Sequence, residues 1–142
     1  MRPLSAADAK HMAALHAESF ERSWDALEMA THTALDLCLG IDHAGQLAGF
    51  IILSRAADQA EILTLAVVKS ARRQGLGRKL LDGAAAQLKK SRSSEMFLEV
   101  AEDNIAAIAL YKAAGFHPIG CRPAYYRREA GRMAAFTYAK KL

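Results

Sequence analysis

Residues 71–81 read ARRQGLGRKLL. Just upstream lies the apolar run AEILTLAVV, Ala60 to Val68. Downstream, Leu76, Leu80, Ala84 and Leu88 recur every four residues, the spacing of one helix face. The stretch is therefore the hand-over from a buried strand to an amphipathic helix. A glycine-rich turn at that place offers free backbone N–H groups at the positive end of a helix dipole, an arrangement that binds anions. Gly75 and Gly77 have no Cβ to hold a ligand off the main chain, and Arg72, Arg73 and Arg78 add positive charge. The spacing is neither the GxxxxGK[ST] of a P-loop nor the GxGxxG of a dinucleotide fold.

The flanking sequence supplies the other elements. Ser5 with Asp8 three residues on is a capping signature, and Met12, Leu15, Ser19 and Phe20 follow at helical spacing. A second short helix is expected from about Trp24 to Ala34. LDLCLGIDHAGQLAGFIIL reads as strand, turn, strand, with HAGQ as the turn. EMFLEVA reads as a short buried strand, and NIAAIALYKAAGF as a helix capped by Asn104 and closed by Gly115, with Phe116 packing back. HPIGCRPAYY and MAAFTYAKKL are the last two strands, joined by RREAGR. The expected fold class is α/β in the mixed α+β sense. It has a central, mostly antiparallel twisted sheet of about seven strands flanked by about four helices. The helical crossover after AEILTLAVV makes one strand pair parallel.

A chain of 142 residues fits a single domain spanning 1–142. A net charge of +4 and a pI near 9.2 favour an anionic ligand without singling out nucleic acid, so no nucleic-acid partner is expected. Cys38 and Cys121 form no CxxC pattern, which fits reduced thiols. The start of the chain shows no signal-peptide h-region, and LAGFIIL is too short to span a bilayer. These features point to a cytoplasmic protein without a membrane partner. His11, His16, His32, His43 and His117 lack zinc-site spacing, so no metal is expected.

AVVKSARRQGLGRKLL, then FLEVAEDNIAAIALYKAAGF, then YY, resembles the GNAT N-acetyltransferase superfamily over about Glu61 to Tyr126. Within it the chain is most similar to the branch that acetylates the N-terminal alanine of ribosomal proteins. Lys69 and Ala71 stand where members often carry Pro and an aromatic residue, and GRMAAFTYAKKL departs from the usual tail. The resemblance implies a GNAT fold and acetyl-CoA as co-substrate. It assigns the pyrophosphate to Arg72, Arg73, Gln74, Gly75, Leu76, Gly77 and Arg78, with Asn104 as a further contact. It makes the splayed strand at Leu65, Ala66 and Val67 the source of N–H groups for the acetyl carbonyl. It makes Glu99 the proton acceptor, Tyr111 the proton donor, and Tyr125 and Tyr126 the border of the acceptor groove.

Read alone, these residues leave alternatives open. A lone acid in an apolar strand, Glu99, serves as a base, pairs with an arginine, or lies on an exposed face; the resemblance adds Glu61 as a rival, since some GNAT enzymes place the base on that earlier strand. Tyr111, two turns into its helix, protonates a leaving group or simply packs on the sheet. Adjacent strand residues point to opposite faces, so one of Tyr125 and Tyr126 is expected at the groove. At pH 7 an α-amine costs about 1.2 kcal/mol to deprotonate and a lysine about 4.6, which favours a protein N-terminus as acceptor. A polyamine or small-molecule acetyltransferase of the same fold, and a non-catalytic CoA-binding module, are the competing readings.

Overall fold

Phe50, Ile51, Ile52 and Leu53 are consecutive and each fully buried. Strand side chains alternate faces, so this strand must be covered on both sides. The structure, a computed structural model, describes residues 1–128 and 131–142. Its elements are β1 (Arg2–Pro3), α1 (Ala9–Ser19), α2 (Ala26–Leu35), β2 (Leu37–His43), β3 (Gln46–Ala56), β4 (Gln59–Val67), α3 (Leu76–Lys90), β5 (Glu95–Ala101), α4 (Ile105–Ala113), β6 (His117–Arg128) and β7 (Gly131–Lys141). The seven strands form one sheet in the order β1-β2-β3-β4-β5-β7-β6. Only the β4–β5 pair, bridged by α3, is parallel among the described strands. This is the mixed, mostly antiparallel sheet expected.

On one face Ile51, Leu53, Ile62, Met96 and Leu98 pack against Leu80, Ala84 and Leu88 of α3 and Tyr111 of α4. On the other, Cys38, Phe50, Ile52 and Ala66 pack against Met12 and Leu15 of α1 and Met29 of α2. Local signals set most boundaries. Ser5 and Asp8 form the capping box, over a 3₁₀ turn that leads into α1. α2 begins two residues later than expected because Asp25 takes the cap, exchanging 2.8 Å hydrogen bonds with Glu28. The HAGQ turn places Ala44 (φ 53°) and Gly45 (φ 78°) in the left-handed region, the geometry that matches hairpin twist. Asn104 caps α4 by accepting from the Ala107 N–H at 3.3 Å. The expected RREAGR connection includes residues 129–130, which lie outside the described residues.

One irregularity parts the sheet. Ile52 pairs with Thr64 and Leu53 with Ile62, so Leu63 is an extra residue in β4. Such a bulge reverses facing and increases local twist. Before it, Ala60 and Ile62 face α3; after it, Ala66 faces α1. The parallel ladder to β5 covers Gln59–Ile62 and ends there, at Leu98. β5 continues to Ala101 beside β7. Past the bulge, Thr64–Val67 therefore keep β3 on one side and no paired strand on the other. A notch opens between β4 and β5.

Leu88 is fully buried beneath the sheet. Leu88→Ala is expected to lower unfolding stability by about 2–5 kcal/mol, the range for emptying a packed leucine site. A urea titration checks it, with a loss below about 1 kcal/mol contradicting the packing described.

Candidate active site

The ARRQGLG turn lies at the end of β4. Arg72 ties it down: Nε donates to the Val67 carbonyl and Nη2 to Ser19 Oγ, both at 3.0 Å. Arg73 and Gly75 both take left-handed conformations, φ 61° and 78°. Gly75 is the N-cap of α3 and provides no side-chain cap. The N–H groups of the first α3 turn have no intrahelical acceptors. The 3₁₀ turn before α1, α2 and α4 each satisfy such groups with Ser5, Asp25 and Asn104. A Cβ at Gly75 would meet nothing within 4 Å, so this uncapped end faces open space.

The other predicted anion ligands are placed differently. Gly77 packs against α4: a Cβ there would sit 2.9 Å from Leu110 Cδ2, so that leucine methyl would have to give way. Arg78 Nε contacts Asp82 at 3.1 Å, and Nη1 donates to the Ala113 carbonyl at 2.9 Å, tying the end of α4 to α3. Gln74 Nε2 donates to the Ser70 carbonyl at 3.4 Å. Of the three arginines, Arg73 has no side-chain hydrogen bond among the described residues and is exposed.

Tyr111 lies in the core on the α3 side of the sheet. Its side chain packs edge-on against Phe116, ring centroids 5.7 Å apart. Burial pushes its phenol up to about 12, with nearby Tyr126 adding to the shift. Among the described residues no buried side-chain polar atom lacks a partner. Asn104 is occupied as the α4 cap.

The opposite face of the sheet carries a cleft of about 380 Å³ lined by Trp24, His32, Glu61, Ile62, Leu63, Glu99, Tyr125 and Tyr126. Met96, Leu98 and Val100 face α3, so Glu99 points the other way, as does Glu61 on the neighbouring strand. The carboxyl of Glu61 is held above its usual value by burial and by the charge of Glu99. Glu99, with 20% of its side chain exposed, is ion-paired: Arg122 Nη2 lies 2.9 Å from Oε1. Tyr126 is also raised, by burial and then by Glu99.

Both tyrosines line the cleft, where strand alternation admits one. The reason is in β6. Arg122 pairs with Ala135 and Tyr126 with Met133, so four steps of β6 match two of β7. Ala124 turns through φ 52°, and the two rings pack edge to face at 5.2 Å.

No spacing in the sequence marks Trp24, His32, Arg122 or His16 as site residues; the SW pair at Ser23–Trp24 is the sole local signal. His16 holds the far wall. Trp24 N–H donates to its Nδ1 at 3.2 Å, which leaves Nε2 to donate to Thr64 Oγ1 at 3.2 Å, just past the bulge. Its ring stacks on Phe20 and Trp24, and Trp24 stacks on His32. His32 Nδ1 in turn meets Asp36 at 2.7 Å. Among the described residues no group of three or more potential metal ligands occurs, and no helix is long and apolar enough to cross a membrane.

Residues 8–116 match the acetyltransferase (GNAT) family. The chain is 39% identical over 95 residues to the [ribosomal protein bS18]-alanine N-acetyltransferase of Escherichia coli strain K12, covering 67% of this chain and 64% of that protein. It is 33% identical over 132 residues to the N-alpha-acetyltransferase RimI of Mycobacterium tuberculosis, covering 87% of this chain and 82% of that one. The crystal structure of the ribosomal-protein-S18-alanine N-acetyltransferase from Escherichia coli superposes with a TM-score of 0.92 at 30% identity, covering 99% of this chain and 91% of the other.

Burial pushes the His16 imidazole down to about 4 from an ordinary 6.5. As pH falls below about 6.5 the unfolded chain takes up a proton that the folded chain refuses. The stability present above that pH is then lost progressively toward pH 4. The urea midpoint of the wild type should fall more steeply over this window than that of His16→Phe. Parallel slopes would remove His16 from this role.

Proposed function

The chain belongs to the acetyltransferase (GNAT) family, and on that footing we propose that it transfers an acetyl group from acetyl-CoA to the N-terminal α-amine of a protein. The attack is direct, with donor and acceptor bound together. The observation that carries the proposal is the notch. The unpaired edge of β4 past Leu63 runs from Glu99 and the cleft at one end to the uncapped start of α3 at the other.

The residues around this edge fit acetyl-CoA. A diphosphate suits the free N–H groups of Gly75, Leu76, Gly77 and Arg78 together with the unengaged Arg73 side chain. Arg72, Gln74 and Arg78 side chains act by holding that turn and the α3–α4 contact in place. When bound, acetyl-CoA supplies an acetyl group activated as a thioester. The N–H groups of Leu65 and Val67 face the oxygen where negative charge develops, while that of Ala66, like that of Val68, is turned to β3, contrary to the expectation for Ala66; donors preorganised in this way are worth about 2.7–4 kcal/mol each. Glu99 accepts the proton from the attacking amine. Tyr111, whose phenol stays protonated at neutral pH, returns one to the departing sulfur. Base and acid approach the notch from opposite faces of the sheet, so each proton is handled on its own side.

The Escherichia coli relative is named for an alanine of ribosomal protein bS18 and the Mycobacterium tuberculosis one for an N-terminal α-amine, and a ribosomal N-terminus is the acceptor proposed here. The α-amine is already the easier one to deprotonate, by about 3.4 kcal/mol relative to lysine at pH 7. Tyr125 and Tyr126 border the groove it enters.

Intact-mass analysis of ribosomal-protein N-terminal peptides after incubation with acetyl-CoA should show one added acetyl group. Glu99→Gln should reduce kcat by roughly 10²–10⁴-fold, the range for a positioned base, and Tyr111→Phe by a comparable or smaller factor. Acetylation confined to polyamines would defeat the protein-acceptor reading, and unchanged kcat in both variants would defeat the assigned roles.

A further inference from the structure

The cleft holds two carboxylates on adjacent strands, and among the described residues one cation, Arg122, answers both. Glu61 comes from β4, Glu99 from β5, His32 from α2, and Tyr125 and Tyr126 from β6. Neither Lys nor Arg is among these lining residues. Arg128 sits over the Tyr126 ring at 5.3 Å but directs its Nε to Asp103 at 3.3 Å. Arg122 lies 2.9 Å from Glu99 Oε1 and 5.0 Å from the centre of the Tyr125 ring. Its side chain is 58% exposed.

We propose that Arg122 reserves Glu99 for a cationic acceptor: its guanidinium holds the carboxylate site that an acceptor ammonium takes over in exchange. This rests on the N-acetyltransferase reading and adds a residue that selects amine over water. Two like charges side by side in a half-buried cleft require a counter-charge. Glu61 feels that need directly, since Glu99 raises its carboxyl and Arg122 counteracts it. An acceptor α-ammonium supplies the same single positive charge. It can replace Arg122 on Glu99 without leaving the pair of carboxylates uncompensated. Water is neutral and cannot make that exchange.

The structure also equips Arg122 to leave. An ion pair this exposed is held weakly. It stands where β6 is looped out by two extra residues, beside the left-handed Ala124 and next to the groove-lining tyrosines. Its stacking on Tyr125 couples its departure to the wall that the acceptor must touch.

The balanced side reaction is hydrolysis. Glu99 takes a proton from water, the water oxygen bonds to the acetyl carbon, the carbon–sulfur bond breaks, and Tyr111 protonates the sulfur. Acetate and the CoA thiol result. With Arg122 on Glu99, this base is withheld from water.

The test measures CoA release from acetyl-CoA without acceptor, in wild type, Arg122→Gln and Arg122→Lys. The Gln variant should release CoA faster by roughly tenfold, part of what a positioned base contributes. The Lys variant, still cationic, should stay near wild type. A second readout does not depend on turnover. The Arg122 Nε–H resonance should move on adding a free-amine peptide and stay in place with the same peptide Nα-acetylated. An Arg122→Gln rate equal to wild type, or an Arg122 resonance indifferent to the amine, overturns the proposal. Failure of the wild type to acetylate any N-terminal peptide counts instead against the acceptor assigned under the proposed function, while these two readouts still decide the role of Arg122.

Discussion

Leu63 is one residue more than the β3–β4 ladder can pair, and the site depends on that excess. A strand with an unpaired extra residue twists away from its neighbour. In β4 the twist coincides with the end of pairing to β5, so the sheet parts at its middle. Parting exposes main-chain groups that sheet formation would otherwise satisfy. It also connects the two faces. Glu99 and Glu61 lie on the cleft side and Tyr111 in the core on the α3 side, with the gap in the sheet between β4 and β5. A continuous ladder would leave the carboxylates and the phenol on opposite sides of a closed layer.

The helices fix the remaining geometry through a few close contacts. Leu110 of α4 packs against α3 at Gly77, and the Arg78 guanidinium bridges to the last turn of α4. These contacts place Tyr111. On the far side, His16 receives the Trp24 N–H and donates to Thr64, joining the α1–α2 loop to β4 beside the bulge. Both ring nitrogens are engaged, and the neutral tautomer is set by the backbone donor. The ARRQGLG turn is thus built differently from what its residue types suggest. Several of its polar side chains build the frame, while main-chain N–H groups and Arg73 face outward.

The elements were largely legible because their signals are local. The capping pair Ser5–Asp8, the HAGQ turn, Asn104 at α4 and the Leu76–Leu88 stripe each sit within one turn or one face, while the equally local Asp25–Glu28 pair shifts the start of α2 from its expected place. The parallel β4–β5 pair followed from the helix between them. The cleft was less legible. Its walls come from α2, β4, β5 and β6, and no local pattern pairs Arg122 with Glu99 or His16 with Thr64, 48 residues away. The expectation that one of Tyr125 and Tyr126 faces the groove assumed an unbroken strand; the irregular register of β6 brings both there.

What the sequence by itself determined is the order of elements, the faces they bury and the family of fold, since periodicity, caps and turns act between near neighbours. What only the tertiary structure decided is which charges meet. Register slips in β4 and β6 arise where a strand must match a partner distant in the chain. Those slips, set by the packing of two sheet faces against four helices, place two carboxylates, one guanidinium and two tyrosines about a single cleft.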